Sequence, residues 1–355
     1  MIDRKRLVQV GALVLAIAIG LVGCGSSASS TLSSSGSASG DASGDTTEYK
    51  YGSVQIPALD GALCAAPIYV AYEKGYFAEE GFDVTLISSD TESRKIGLNN
   101  GTIPIVNGDF QFFPSIEEGV EATVVDGLHK GCIRIVVNAD SDIDSVEDLK
   151  GKTIGVDEIG GTPYMVASLW LESNGIVASN NEEVTFTPYS DGNLELQALS
   201  NGEIDAAALW DPFGSLAVEE YGYKEIFDLA DNEQFADKYC CFIYASNKVL
   251  EEDPEEIAAL LRAIHKAQNF IYENPEEAVS IIVEGNYADV SDYEDLAVEL
   301  VQSYGYPSYE EQDADLVREN VLYFVEQLAN IGYLSTDDAE AFMDQVYTYV
   351  DTNDY

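Results

Sequence analysis

Basic residues are scarce in this chain. Its 355 residues include 17 Lys and Arg against 64 Asp and Glu, a formal charge of −47, so the cationic face on which phosphate recognition rests is missing and no nucleic-acid partner is expected. Histidine is scarcer still, with His129 and His265 the two in the sequence. Clustered Cys/His ligands at zinc-site spacing are not found along the chain, and neither metal nor cofactor is expected. Five cysteines are too few for a stapled scaffold of this length. Cys240 and Cys241 are neighbours that pair poorly with each other, so Cys64, Cys132, Cys240 and Cys241 are expected as buried thiols, their disulfide state left open. No Gly-x-Ser-x-Gly or phosphate-loop pattern is present. Beyond residue 22 no apolar run is long enough to span a bilayer.

What the sequence does have is a core. Hydrophobic residues make up 46% and aromatics 10%, which separates this acidity from the low-hydrophobicity signature of disorder. The length exceeds the roughly 250–300 residues at which a single core stops growing, so two lobes are expected.

The amino terminus reads as a targeting segment. Arg4, Lys5 and Arg6 precede an apolar stretch, 7–22, interrupted by Gln9 and ending in Leu21-Val22-Gly23-Cys24. A basic start, an apolar middle and small residues before a cut describe a secretory signal. The Leu-Val-Gly-Cys ending resembles the lipobox of bacterial lipoproteins, which implies a signal peptide over 1–23 and lipidation of Cys24. Residues 24–47, nearly all Ser, Gly, Ala and Thr with a few Asp, cannot bury apolar surface and read as a flexible tether. The body is therefore expected outside the cytoplasm, held to the membrane by the lipid on Cys24.

Along the body, strand and helix patterns alternate. Strands are predicted over 51–56, 82–87, 103–106, 122–128, 133–137, 153–156, 184–188 and 206–210, with helices over 67–74, 91–99, 114–118, 162–173, 194–201 and 213–220. Units of this kind predict parallel sheets covered by helices. After an apolar strand at 240–246 the pattern turns helical, over 254–272, 275–284, 292–303, 313–331 and 336–350. Asp253-Pro254-Glu255-Glu256 and Asn274-Pro275-Glu276-Glu277 each set a capping side chain, a proline and acids at a helix start.

Three segments then match a pattern of known proteins. PIYVAYEKGYFAEEGFDV at 67–84 resembles the P-x-x-x-A-x-x-x-G-(Y/F)-F-x-x-x-G-(L/F)-x-V signature of nitrate/sulfonate/taurine-type substrate-binding proteins of ABC importers. EDLKGKTIGV at 147–156 resembles the segment that opens their second lobe. GEIDAAALWDP at 202–212 resembles their G-x-(I/V)-D-A-A-x-x-W-x-P. The resemblance implies an α/β, two-lobed periplasmic-binding-protein-like fold of type II, each lobe a mainly parallel sheet flanked by helices, with a helical C-terminal extension. Lobe I would comprise 48–137 and 246–355, and lobe II 138–245, with crossovers near 136–140 and 245–247. The implied function is capture of a small polar organic anion or zwitterion, taurine-like or alkylsulfonate-like, by a monomeric lipoprotein that delivers it to a permease and ATPase. A thiamine-precursor pyrimidine is the alternative cargo.

The candidate site follows from the rule that ligands in such lobes lie beyond the carboxyl ends of strands, at helix starts. Gly161 and Thr162 open a helix whose free N–H groups suit an anion, although Thr162 equally serves as that helix's own cap. Gly61 and Cys64 lie in the loop after the first strand. Asp109 and Gln111 follow the third strand, in an Asn-Gly-Asp run that is also an ordinary turn. Trp210 and Asp211 end a lobe II strand, where a Trp stacks on ligand or joins the core. The segment 129–132, with His129 and Cys132, lies near the hinge, as a ligand contact or a structural element. Carboxylates at Asp109 and Asp211, if both line the cleft, require hydrogen-bond donors on the ligand. The same superfamily includes thiamine-pyrimidine synthases, and the run at 239–244 resembles the position of their iron-binding Cys-Cys-Cys-Phe-Cys segment. Only two of those cysteines are kept here and no donor histidine is matched, so catalysis is not expected.

Overall fold

The structure, a computed structural model, describes residues 49–58, 61–306 and 314–352. All of them belong to the unit Thr47–Tyr355; the signal segment 1–23, Cys24 and the tether to 47 lie outside the described residues. Among the described residues ten strands follow in order: β1 (Gly52–Pro57), β2 (Phe82–Ile87), β3 (Ile105–Asp109), β4 (Ala122–Lys130), β5 (Ile133–Val137), β6 (Thr153–Val156), β7 (Thr185–Pro188), β8 (Ala206–Trp210), β9 (Lys224–Asp228) and β10 (Tyr239–Ser246).

They form a parallel β1-β2 pair, a three-stranded sheet β3-β10-β4 and a five-stranded sheet β7-β6-β8-β5-β9. The five-stranded sheet is mixed and the three-stranded sheet is antiparallel, which corrects the expectation of mainly parallel sheets. β10 runs antiparallel to both β3 and β4, and β5 runs antiparallel to both β8 and β9. The cause is the double crossing: each connection between sheets delivers a strand against the prevailing direction of the sheet it joins.

The same pairing moves the boundaries between the sheets. β5 lies wholly in the five-stranded sheet, so the first crossover falls at Gly131 and Cys132, between β4 and β5, before the expected 136–140. β10 lies wholly in the three-stranded sheet, so the return falls between β9 and β10, before the expected 245–247. β9, absent from the sequence reading, is KEIFD; its charged residues mask an edge strand of which Phe227 alone is fully buried. The last helix is Ala339–Val346, shorter than the expected 336–350.

β10 is apolar up to its last residue, Ser246, and buried along its whole length, as a central strand requires. Gly127 of β4 makes room for it: a Cβ there would sit 2.8 Å from the Tyr239 ring. The helix Pro254–Glu273 begins with Pro254 in its first turn and Asp253 accepting from the Glu255 N–H. Its apolar stripe, Ile257, Leu260, Leu261, Ile264 and Ile271, is fully buried, each side chain contributing about 1.5–3 kcal/mol of burial. Two polar members of that stripe fix its register on β4. His265 Nε2 pairs with Asp126 Oδ2 at 2.6 Å, and Gln268 Nε2 donates to Leu128 O at 3.1 Å. Among the described residues no helix is long and apolar enough to cross a membrane.

Candidate functional site

A cavity of about 430 Å³ opens beyond the carboxyl ends of strands from all three sheets, within the size range of small-molecule sites. Asp90 follows β2, Asn107 and Asp109 end β3, Asp157 and Glu158 follow β6, Asp191 follows β7 and Trp210 ends β8. Cys64, Asp109, Gln111, Thr162 and Trp210 of the sequence-derived candidates line it.

Gly61, Gly161 and Asp211 are not among the lining residues. Gly61 has φ +85°, a backbone role in its loop. Gly161 precedes the helix Thr162–Ser173 with an extended φ of −73°. A Cβ on it would meet Asp157 Oδ1 at 2.7 Å, so its role is to let that carboxylate approach. Asp211 is completely buried. Arg134 Nη1 reaches its Oδ1 at 3.1 Å, Ser215 Oγ donates to the same oxygen at 2.6 Å, and the Tyr304 hydroxyl donates to Oδ2 at 3.1 Å. A carboxylate with this many partners asks nothing of a ligand, which corrects the idea that Asp109 and Asp211 jointly face the cleft.

The acids that do line the cavity were missed from sequence: Asp90, Asp157, Glu158, Asp191 and Glu195, beside the anticipated Asp109. Their signal was available, since four of the five stand within three residues of a strand's end. Arg94 is the one basic residue among the described lining residues. Two of the acids already occupy helix starts. Asp90 Oδ1 accepts from Ser93 N–H at 2.7 Å, and Asp191 Oδ1 accepts from Asn193 and Leu194 N–H at 2.9 and 3.0 Å. The third start, at Thr162, has no side-chain cap but stands against Asp157 and Glu158.

Burial pushes the carboxyl of Asp109 well up, and the nearby Cys241 adds to it. Burial likewise raises Glu195 well above its usual range, with Asp157 contributing, and raises half-buried Asp157 to about 7. Two enclosed acceptors in the lining have no hydrogen-bond partner, Asn107 Oδ1 and Glu195 Oε1. The cavity is therefore rich in acceptors.

Behind its floor lies a second group that the separation in sequence concealed. His129 at the end of β4, Cys132 in the crossover, and Cys240 and Cys241 at the start of β10 place four donor atoms within 4.8 Å of one another. The thiols are buried, as expected, but the inference that no Cys/His ligands cluster does not hold in three dimensions. Cys132 Sγ and Cys240 Sγ are 3.8 Å apart, and Cys240 Sγ lies 3.5 Å from His129 Nδ1 and donates to Gly131 O at 2.6 Å. Cys64, Cys132 and Cys241 also line the cavity. Contacts with Cys132, Cys240 and Cys64 draw the Cys241 thiol well below its usual pKa. Burial alone lowers His129, but the adjoining Cys241 and Cys64 outweigh it and hold the ring well above its ordinary pKa.

The profile of the family described as NMT1/THI5 like matches residues 64–278. A Bacillus subtilis protein named for binding aliphatic sulfonates is 26% identical over 267 residues, covering 71% of this chain and 75% of that protein. The formylaminopyrimidine-binding protein of Halalkalibacterium halodurans is 25% identical over 251 residues, covering 66% of this chain and 72% of its own. Among solved structures, the alkanesulfonate-binding protein of Xanthomonas axonopodis pv. citri bound to MOPS aligns with a TM-score of 0.64 at 14% identity, covering 82% of this chain and 97% of that one. The shared architecture is the periplasmic-binding-protein fold, in mixed α/β form.

Proposed function

Since the chain belongs to the NMT1/THI5-like family, we propose that it is the substrate-binding component of an ABC importer and that its cargo is a small, donor-bearing heterocycle of the aminopyrimidine class. The observation that carries the choice of cargo is the acceptor-rich cavity: six acids and one Arg in the lining, with Asn107 Oδ1 and Glu195 Oε1 enclosed and unmatched. An unmatched buried acceptor costs about 1–3 kcal/mol, which a ligand N–H recovers on binding.

A sulfonate, the cargo first expected from the resemblance, fares worse on the same grounds. Its oxygens are acceptors only, and the helix starts that would attract them carry Asp90 and Asp191 or stand against Asp157 and Glu158. Taurine keeps a donor at its amine end, but its sulfonate still has to meet those acids. Catalysis is not favoured, because relatives are named as binding proteins and neither histidine is among the residues lining the cavity. An extracytoplasmic position fits this role, with the lipid on Cys24 and the segment 24–47 as anchor and spacer.

A thermal-shift and calorimetric screen tests the cargo. A formylaminopyrimidine or aminopyrimidine should raise Tm, by the equivalent of about 2.7 kcal/mol at a hundred times Kd, while alkanesulfonates, taurine and nitrate leave it unchanged. Tight alkanesulfonate binding with no response to aminopyrimidines would overturn the reading.

A further inference from the structure

We propose that His129, Cys132, Cys240 and Cys241 form a tetrahedral site for a soft d10 cation of the Zn²⁺ class, behind the cargo cavity where both crossovers between the sheets meet. The inference goes beyond the importer reading and does not depend on which cargo is bound.

Geometry is the first support. Tetrahedral thiolate coordination at about 2.3 Å requires sulfurs about 3.8 Å apart, and Cys132 Sγ and Cys240 Sγ stand 3.8 Å apart already. The widest separation among the four donor atoms is 4.8 Å, so closure on an ion asks for a contraction of only about 1 Å along the longest edge. Ligand chemistry is the second. Three sulfurs and one imidazole make a Cys₃His set, one of the usual structural zinc combinations.

The third support is the burial of the imidazole and the placing of its Nδ1. His129 is fully buried, and its Nδ1 stands 3.5 Å from Cys240 Sγ, so the ring nitrogen beside the sulfurs is already within reach of a shared ion.

Loading the site requires all three sulfurs as thiolates and the imidazole neutral, and the protons that these groups carried leave to solvent. The bond from Cys240 to Gly131 O is given up in exchange for the metal–sulfur bond. Because Cys132 belongs to the outgoing crossover and Cys240 begins the strand that follows the return, the ion would join the two connections through which the sheets are linked.

The test uses the full chain, purified reduced, with Zn²⁺ and Co²⁺ as probes and no cargo present. One equivalent of Zn²⁺ should bind, X-ray absorption should report three sulfurs and one nitrogen, and Co²⁺ should give thiolate charge-transfer bands with a tetrahedral d–d spectrum. Cys132→Ser and Cys240→Ser should each weaken Zn²⁺ affinity at least 100-fold. If those variants fail to fold, the absorption spectrum of the unaltered protein decides alone. A shell of oxygen and nitrogen only, or a reduced chain that takes up no Zn²⁺, overturns the proposal. So does a Cys132–Cys240 disulfide that re-forms in the presence of Zn²⁺.

Discussion

Tyr304 donates its hydroxyl to Asp211 Oδ2 at 3.1 Å, which joins the segment after the helix Glu294–Ser303 to the end of β8 in the five-stranded sheet. On the other oxygen, Arg134 holds Asp211 while also reaching Glu225 at 3.0 Å and Asp228 at 2.9 Å. A carboxylate buried to this degree is tolerable only while its partners stay in place.

Arg134→Met should therefore destabilise the protein by about 3–5 kcal/mol, because it strands Asp211 in the interior. Tyr304→Phe removes one donor to a charged acceptor and should cost about 1.5–3 kcal/mol. Urea unfolding followed by circular dichroism checks both, and equal losses for the two variants would contradict the ranking.

Glu195→Gln and Asp109→Asn separate cargo recognition from stability. Each replaces a buried acid whose ionised form is disfavoured by burial, so the unliganded protein at pH 8 should be no less stable than the parent. Affinity for an aminopyrimidine should fall at least tenfold in each, about 1.4 kcal/mol, as an amide replaces a carboxyl that a ligand N–H can hold in its ionised form. Calorimetric titration supplies both Kd values.

Acidity should act through Asp157. Its folded pKa, raised by burial to about 7, lies above the roughly 3.9 of an unfolded Asp. Between those values the folded state holds more protons, so this group's contribution to stability declines as pH rises from about 4 to 7 and stays low above. Asp157→Asn should flatten that part of the Tm profile. Binding of a donor-bearing cargo should weaken from pH 8 to pH 6 in the parent and much less in the variant; identical profiles would exclude Asp157 as the titrating group.

Trp210 is half-buried, lines the cavity and meets the Phe213 ring edge-on at 5.4 Å. If its face receives a flat cargo, Trp210→Ala should cost about 1–3 kcal/mol of binding while Trp210→Phe keeps most of it. Should both variants bind like the parent, the ring belongs to the core alone.

Much of this organisation was legible in order along the chain, because local chemistry marks it. Asp253-Pro254 announces the helix it caps, and the run 206–210 announces a buried strand. Cys64, Asp109, Gln111, Thr162 and Trp210 were singled out because strand ends precede them, and all five stand in the cavity lining. What escaped depends on partners distant in sequence. Nothing local to Asp211 reveals that Arg134 neutralises it, and nothing in KEIFD reveals an edge strand paired to β5. The crossovers were placed late because β5 and β10 look alike whichever sheet receives them. The thiol and imidazole group was hidden for the same reason: residues 129–132 and 240–241 meet only after the chain has travelled through the five-stranded sheet and back.

That journey has a consequence for biosynthesis. β3 and β4 emerge from the ribosome long before β10, the strand that must lie between them, so the first sheet stays an open pair of edges until the five-stranded region has been made. A nascent chain of this kind is slow to commit to its final form and exposes sticky borders if it stops short. Truncation ahead of Tyr239 should yield aggregate, and the delay leaves a long window in which the polypeptide is still loose.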